Sequence, residues 1–338
     1  MDKQYFIQAE TILNSLGDIL SQKENVIVEK LLCTGADSEE LHRQARIRRR
    51  QLVGDRVFVR GSLEYSNVCT NNCSFCGMAK SNQNLQRYRL SFDEMTKSIN
   101  LLKDMRVSQL HLVGGEDKDI NIDTIGKIVS YATDRNIAVT LVLGELKPDD
   151  YIYLYKAGAR RYILKFETSN AETYSNLKGR KNLIERLAHL FYLREIGYKI
   201  GTGIIAGLPT TSLRDLARDL LLLQRLAPDM ASVSVFSPNG ESALKDEPPG
   251  SKDMALNFLS LMRLSLEYTP IITCSSSFGP NGQIEALQAG ANLMSVHITP
   301  YPFSDKFSMY TSVNRTLTQY NYIQLCSEKV GLKVAEYV

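Results

Sequence analysis

Eight short runs rich in β-branched residues alternate with helical patterns from residue 57 onward, and this alternation limits the folds open to the chain. Strands are predicted at 57–65, 109–113, 138–143, 161–166, 199–206, 231–236, 271–274 and 293–298. Helices are predicted between them, near 92–105, 121–134, 148–157, 182–196, 212–226, 251–267 and 281–289. Strands that alternate with helices are typical of a parallel sheet. Because eight strands with seven intervening helices fit a closed barrel better than an open sheet, the sequence predicts a complete (β/α)8 barrel of the TIM type, an α/β fold.

The segments outside the barrel pattern are predicted to be helical additions to it. Residues 1–50 read as an N-terminal helical extension, residues 51–300 as the barrel, and residues 301–338 as a short C-terminal cap with a helix near 317–330. The basic run at 43–50 is interpreted as a solvated helix face. A nucleic-acid patch is the alternative, but aromatic residues do not interrupt the run and the chain is nearly neutral.

Composition narrows the partners and the location that we expect. Forty basic and 37 acidic side chains give a net charge of +3, which favours neither nucleic acid nor an anionic membrane as a partner. No run of about 18 apolar residues is present, so no membrane span is predicted. The first residues, Met1–Phe6, have mixed charge and lack the apolar segment of a secretory signal. We therefore expect a cytoplasmic protein with reduced thiols and a small substrate.

The run from Cys69 through Cys73 to Cys76 carries the strongest chemical signal. Three thiolates at CxxxCxxC spacing can hold a 4Fe-4S cluster and leave one iron free for a substrate or cofactor. A structural zinc site would need a fourth ligand, and the nearest histidines, His42 and His111, are not at zinc-finger spacing. Three buried, unliganded cysteines are the other alternative, but the polar residues between them suit a loop. The three cysteines are therefore the predicted catalytic and metal-binding residues.

Glycines and carboxylates follow the predicted strands at the edge where barrel active sites lie. They occur after the second to fifth strands, as Gly114-Gly115-Glu116, Gly144-Glu145, Glu167-Thr168 and Gly207-Leu208-Pro209. Each motif alone could be a turn or a solvated charge. Together they put three carboxylates on the same rim as the cysteines, so we expect them to form one site with the cysteines.

With these motifs in place, the chain resembles the radical S-adenosylmethionine (SAM) enzymes. The cysteine run, with Phe75 before its last cysteine, resembles their signature, and Gly114-Gly115-Glu116 resembles their GGE motif. Gly203-Ile-Ile-Ala-Gly207 resembles the GxIxG motif that flanks adenine. The resemblance implies one 4Fe-4S cluster with three cysteine ligands, whose open iron chelates SAM. Reductive cleavage of SAM would then give a 5′-deoxyadenosyl radical that attacks the substrate.

Within this superfamily the resemblance extends over residues 60–300 and narrows to the group of biotin synthase, methylornithine synthase and the FeFe-hydrogenase maturase HydE. The HydE-like pattern is the most similar. It implies that Glu167 contacts the amino acid part of SAM and Arg186 its carboxylate, although Arg186 could also be an ordinary charge on a helix surface. The SAM-binding residues implied in all are Phe75, Gly114, Gly115, Glu116, Glu145, Glu167, Arg186 and Gly207.

Two departures from the HydE-like pattern leave the substrate open. Lys165-Phe166 stands where HydE-like chains have Arg-His, and Thr273-Cys274-Ser-Ser-Ser277 stands where they have a Thr-Thr run. The remaining cysteines, Cys33, Cys274 and Cys326, are scattered, so an auxiliary cluster and a sulfur insertion of the biotin synthase type are disfavoured.

The leading hypothesis is a HydE-like radical SAM enzyme that acts on a small molecule or metallocofactor precursor, with a reducing partner such as flavodoxin or ferredoxin. One alternative is an amino acid skeleton mutase like methylornithine synthase. Its substrate would need polar groups, which could come from Lys165, Ser234, Ser237, Thr273, Ser275 and Ser277. The alternative of another class is a non-catalytic protein that binds SAM or a cluster.

Overall fold

The computed structural model describes residues 1–279, 281–309 and 318–335. Three helices precede the barrel: α1 (Lys3–Asn14), α2 (Leu16–Leu32) and α3 (Gly35–Val53). The strands are β1 (Arg56–Ser66), β2 (Gln109–Gly114), β3 (Ala138–Val142), β4 (Arg161–Ile163), β5 (Lys199–Ala206), β6 (Met230–Val235), β7 (Ile271–Ile272), β8 (Leu293–His297) and β9 (Lys333–Ala335). The later helices are α4 (Phe92–Asp104), α5 (Ile122–Thr133), α6 (Pro148–Lys156), α7 (Ala171–Leu177), α8 (Leu183–Ile196), α9 (Leu213–Leu226), α10 (Lys252–Ser265), α11 (Gly282–Gln288) and α12 (Tyr320–Lys329).

The strands form a parallel, nearly closed barrel. Their order is β7-β6-β5-β4-β3-β2-β1-β8, and every ladder along this path is parallel. Between β7 and β8 a single parallel bridge, Thr273 to Leu293, brings the two ends of the sheet together. The predicted (β/α)8 fold is therefore confirmed, with all eight predicted strands and all seven predicted helices present.

Two predicted strands, the fourth and the seventh, are longer than the observed ones by two or three residues. After β4 the backbone departs from the regular ladder, and Glu167 takes a φ of +62°. Its amide still donates to the carbonyl of Gly203, so the segment stays bound to β5 outside the regular register. The seventh strand ends at Ile272, and beyond it Thr273 forms an isolated bridge to Leu293 while its amide donates to the carbonyl of Ala231.

Two short elements were missed by the sequence analysis. Helix α7 begins at Asn170, whose side chain accepts a hydrogen bond from the amide of Thr173. Strand β9 pairs in parallel with the start of β1. The helix predicted near 317–330 is present as α12, although residue 317 itself lies outside the described residues.

The N-terminal helices pack against the barrel helices rather than standing apart. Helices α1, α2 and α3 contact α8, α9 and α10 respectively. Leu16, Leu20 and Leu31 of α2 belong to the same continuous apolar core as Leu220 of α9 and Phe258 of α10. In the described part of the chain, no helix is long and apolar enough to cross a membrane.

The interpretation of the basic run as a solvated helix face is wrong for Arg49. Only 3% of Arg49 is exposed, and its guanidinium donates to the carbonyls of Leu287 and Ala291 beside the end of α11. Arg43 and Arg50 of the same run are exposed, as expected. The run therefore fastens α3 to the barrel through Arg49, and Arg46 adds a hydrogen bond to the carbonyl of Gln288.

A small apolar cluster closes the barrel at the N-terminal ends of its strands. Phe58, Met230, Ile271 and Leu293 pack together there, each at or near the start of a strand. The interior of the barrel therefore opens toward the C-terminal ends of the strands, where the predicted site residues lie.

Candidate active site

The three cysteines lie on the loop that leaves β1 at the open end of the barrel, and all three thiols are free. The amide and the hydroxyl of Thr70 both donate to the carbonyl of Glu116, at 2.8 and 2.9 Å. On the other side, the amide of Ser74 donates to the carbonyl of Leu177 at 2.9 Å. The loop is thus fixed to the segment after β2 and to the end of α7.

Arg87 holds the outer part of this loop in place. Its guanidinium donates to the carbonyls of Asn67, Met78, Ala79 and Asn82. Because four carbonyls of an irregular loop are satisfied by one side chain, Arg87 acts as a scaffold for the cysteines. The sequence analysis assigned no role to Arg87.

Two glycines allow the loops of the site to approach each other closely. A Cβ atom at Gly115 would lie 2.2 Å from the carbonyl oxygen of Val68 and 2.7 Å from Cβ of Cys69. A Cβ atom at Gly144, where φ is +73°, would lie 1.7 Å from Cγ of Glu116. Any side chain at these positions would displace the cysteine loop or the Glu116 carboxylate.

Glu116 and Glu145 converge on a buried arginine. The Nη2 atom of Arg186 lies 2.6 Å from Glu116, and its Nε lies 3.1 Å from Glu145 and donates to the Tyr174 hydroxyl at 2.9 Å. Lys181 adds a second cation, 2.6 Å from Glu145. Arg186 is only 1% exposed, so its alternative interpretation as a helix-surface charge is wrong.

The cations keep this cluster ionised. Burial disfavours the charged form of Glu116, but Arg186, Lys178 and Lys181 outweigh it and hold the pKa of the carboxyl well below its usual range. Burial disfavours the charged form of Arg186, whereas the nearby Glu116 favours it, and the net result is a raised pKa of Arg186. Glu116 and Arg186 are therefore both charged near neutral pH.

Glu167 lies on the same rim but in a different ion pair. Its Oε2 atom is 2.9 Å from the Nζ of Lys165, and both residues border the cavity described next. The structure thus joins two of the three predicted carboxylates through Arg186 and gives the third its own cation. Gly114 ends β2 and Gly207 follows β5, at the same end of the barrel.

A cavity of about 380 Å³ runs from the cysteine loop into the barrel. Phe75, Cys76 and Glu167 border it near the mouth. On one wall the hydroxyls of Ser234, Ser275 and Ser277 form a chain, with Ser234 also 3.5 Å from the Lys165 ammonium. This wall of the cavity therefore offers one cation and several hydroxyl groups to a bound molecule.

Sequence analysis missed the polar groups that line the deeper part of the cavity: Arg60, Ser62, Glu64, His111, Ser295 and His297. Burial, followed by the nearby Arg60, lowers the pKa of His297 to about 4 and that of His111 well below its usual value, so both rings are neutral. For three of these residues the sequence does contain a signal. Arg60, Ser62 and Glu64 alternate along β1, and alternate residues of a strand share a face, so all three could have been placed on the inner face of the barrel.

Cys274 also borders the cavity and is 3% exposed. Burial raises the pKa of its thiol. Cys274 is therefore a small buried residue at the edge of the cavity.

Comparison with known proteins identifies the chemistry of this site. The model of the radical SAM superfamily matches residues 63–223. The chain is also 34% identical over 275 residues to the [FeFe] hydrogenase maturase subunit HydE of Thermotoga maritima, an alignment that covers 81% of this chain and 79% of HydE. The chain belongs to the radical SAM superfamily. It is therefore an enzyme of a superfamily that uses a 4Fe-4S cluster and SAM.

Other radical SAM relatives agree with this assignment. The 3-methylornithine synthase of Methanosarcina acetivorans is 26% identical over 259 residues, which cover 76% of this chain and 73% of that protein. The crystal structure of methylornithine synthase (PylB) superposes with a TM-score of 0.84 at 23% identity and covers 95% of this chain and 97% of PylB. HydG from Carboxydothermus hydrogenoformans superposes with a TM-score of 0.79 at 21% identity, covering 100% and 86%. These two superpositions support the barrel fold.

The residues present suit the two groups that the radical SAM superfamily implies. Three free thiols on one loop provide soft ligands for iron. The absence of a side chain at Gly115 brings that loop against the end of β2, and Glu116 and Arg186 provide opposite charges beside it. An amino acid ammonium and carboxylate are complementary to such a pair.

Proposed function

We propose that this chain holds a 4Fe-4S cluster through Cys69, Cys73 and Cys76, binds SAM beside it, and acts as a HydE-like enzyme on a small molecule or metallocofactor precursor. When bound, the cluster supplies the electron that cleaves SAM to methionine and a 5′-deoxyadenosyl radical. The observation that carries the proposal is the pair of hydrogen bonds from Thr70 to the carbonyl of Glu116. They join the cysteine loop to the carboxylate–arginine cluster, so the expected cluster ligands and SAM ligands share one edge of the cavity.

The charged groups of the rim have separate proposed roles. Glu116 accepts hydrogen bonds from the SAM ammonium, and Glu145 helps to keep Arg186 in place. Among the described residues, the Nη1 atom of Arg186 has no hydrogen bond, so it is available to the SAM carboxylate. Glu167 contacts the amino acid part of SAM from the fourth strand. Phe75, Gly114, Gly115 and Gly207 provide close packing around the cofactor.

The substrate class follows from the HydE likeness and remains part of the proposal. HydE is named as a hydrogenase maturase, which supports a metallocofactor precursor as the second reactant. The electron would come from a flavodoxin or ferredoxin. A mutase acting on an amino acid, like methylornithine synthase, is the second candidate, because Lys165 and the Ser234–Ser275–Ser277 hydroxyls could hold a carboxylate in the cavity.

The first prediction concerns the cluster ligands. After anaerobic reconstitution with iron and sulfide, the wild-type protein should bind about four irons and form 5′-deoxyadenosine from SAM when dithionite is added. Cys73→Ala should lose both properties, because it removes a thiolate from the loop. The matched control is Cys274→Ala, which should keep the iron content and visible spectrum of the wild type. Loss of iron from the control would contradict a single cluster on this loop, and a loaded wild type without SAM cleavage would contradict the proposed function.

The same assay can separate the two substrate classes. Free amino acids are added singly, and the rate of 5′-deoxyadenosine formation is compared with the rate without substrate. A substrate-dependent rise with one amino acid would favour the mutase. No rise with any of them would favour a metallocofactor precursor.

A further inference from the structure

A nearly buried ammonium group lies beside the cysteine loop, and no carboxylate among the described residues forms a salt bridge with it. Lys178, at the C-terminal end of α7, is 8% exposed. Among the described residues, its Nζ atom forms no hydrogen bond and no salt bridge within 4 Å. The ring of Phe75 lies 5.8 Å from it. Because burial destabilises an ammonium group that has no direct partner, we expect an anionic group to bind within reach of Lys178.

The backbone holds Lys178 against the segment that carries Cys73 and Cys76. The amide and the hydroxyl of Ser74, between these cysteines, both donate to the carbonyl of Leu177. On the other side of Lys178, Gly179 adopts a φ of +66° and packs near the carbonyl of Asn72. Lys178 is therefore fixed relative to the cysteines by contacts on both sides.

The other anionic groups near Lys178 already have partners. Glu116 lies 2.6 Å from Arg186 and 3.5 Å from Lys181. The charge of Lys178 also interacts with Cys73 and Cys76, which are the groups that a cluster would bind. The charge of Lys178 therefore acts on the thiols as well as on Glu116, but only Glu116 already has direct salt bridges to other cations.

We propose that Lys178 is the fixed counter-charge of the iron–sulfur cluster and raises the cluster's reduction potential. This inference rests on the proposed cluster at Cys69, Cys73 and Cys76. A 4Fe-4S cluster with three thiolates is negatively charged and becomes more so when it gains an electron. A nearby buried cation stabilises the reduced form more than the oxidised form, since attraction grows with the charge and is strong at low dielectric. Lys178 is a positioning residue that makes the cluster easier to reduce.

Lys178→Met tests this role, because methionine keeps an unbranched apolar stem beside Phe75 and removes the charge. Lys178→Arg keeps the charge, and Arg180→Met removes an exposed charge two residues away. Each protein is reconstituted anaerobically without SAM, its iron content is measured, and its reduction potential is determined by a redox titration followed by electron paramagnetic resonance.

We expect Lys178→Met to shift the potential to more negative values, lowering the ratio of reduced to oxidised cluster roughly tenfold at a fixed potential, equivalent to about 59 mV for one electron. Lys178→Arg and Arg180→Met should stay near the wild type. An unchanged potential in a fully loaded Lys178→Met protein overturns the proposal. If that protein also bound SAM more weakly, Lys178 would instead be a ligand of the SAM carboxylate.

Failure of Lys178→Met to take up iron is also informative. If its circular dichroism shows a folded protein and Lys178→Arg restores the iron, the charge is required for the cluster and the proposal stands. If Lys178→Arg also binds no iron, Lys178 has only a packing role and the proposal fails.

A wild type that loads iron but does not cleave SAM would contradict the proposed function and leave this measurement of the reduction potential valid. A wild type that takes up no iron would overturn both.

Discussion

Asp219 is a buried carboxyl group beneath the rim that carries Glu167. It is 1% exposed, and its Oδ1 atom accepts a hydrogen bond of 2.5 Å from the amide of Ser169. Burial raises its pKa to about 7. The carboxyl therefore anchors the segment just after Glu167, and its protonation affects how firmly that segment is held.

The pH dependence of unfolding should reveal Asp219. Its pKa in the folded state lies above the ordinary value of 3.8, so the folded protein keeps a proton that the unfolded chain releases between about pH 4 and 7. The free energy of unfolding should fall as the pH rises through this window. Asp219→Asn should remove that fall and be more stable than the wild type at pH 8, on the order of 2 to 4 kcal/mol.

Urea unfolding of the apoprotein at pH 5 and pH 8 measures this difference. Asp104→Asn, at an exposed position, is the matched control and should follow the wild type at both values. Parallel pH curves for the wild type and Asp219→Asn would show that Asp219 is not protonated in the folded protein.

At the scale of single residues, the predictable part of the site is local in the chain. The cysteine spacing and the Gly-Gly-Glu motif can be read directly, because each is a short run at a strand end. The burial of Lys178 cannot, since it depends on α7 packing against the cysteine loop. Arg186 was expected only through a family resemblance, because its two carboxylate partners are distant in sequence.

Among the elements, α3 is attached to the barrel through Arg49. This arginine donates to the carbonyls of Leu287 and Ala291, which lie where α11 ends. Carbonyl groups at a helix end need partners from outside the helix. Arg49 therefore caps the C-terminal end of α11, although it belongs to a helix that is more than 230 residues away in sequence.

Arg49→Ala should reduce the free energy of unfolding by about 2 to 4 kcal/mol, because it removes the donor to the Ala291 carbonyl and opens a gap under α3. Arg43→Ala in the same helix removes an exposed ion pair with Glu40 and should leave the free energy of unfolding nearly unchanged. Urea titrations followed by circular dichroism give both values. Equal effects of the two substitutions would contradict the anchoring role of Arg49.

Patterns of apolar residues were sufficient to predict the barrel strands and helices, because each pattern extends over several residues. Shorter elements depend on tertiary contacts. Strand β9 has three residues and is held by its pairing with β1, and the early end of β4 follows from the φ of +62° at Glu167. The basic run of α3 was misread at Arg49 for the same reason, since its carbonyl partners belong to a distant helix.

For the whole molecule, the division into 1–50, 51–300 and 301–338 stays a prediction, and the packing suggests how the parts behave together. Apolar residues of α1 and α2 share one core with α9 and α10. Elements that share a core usually unfold together.

We therefore expect a single cooperative transition for the N-terminal helices and the barrel. Hydrogen exchange followed by mass spectrometry, measured along a urea gradient, should give the same midpoint for peptides from α2 and from β5. A lower midpoint for α2 alone would show that the N-terminal helices form a separate unit. Circular dichroism on the same samples provides the global transition for comparison.

The apolar cluster of Phe58, Met230, Ile271 and Leu293 has a kinetic consequence. It closes the far end of the cavity in the described part of the chain, so a molecule reaches the interior past the cysteine loop. If SAM binds at this mouth, a substrate that reacts deep in the barrel must enter before SAM. The product formed from that substrate must then leave after the products of SAM cleavage. With SAM at this position, the barrel imposes an ordered mechanism, in which the substrate binds first and SAM binds second and blocks the exit.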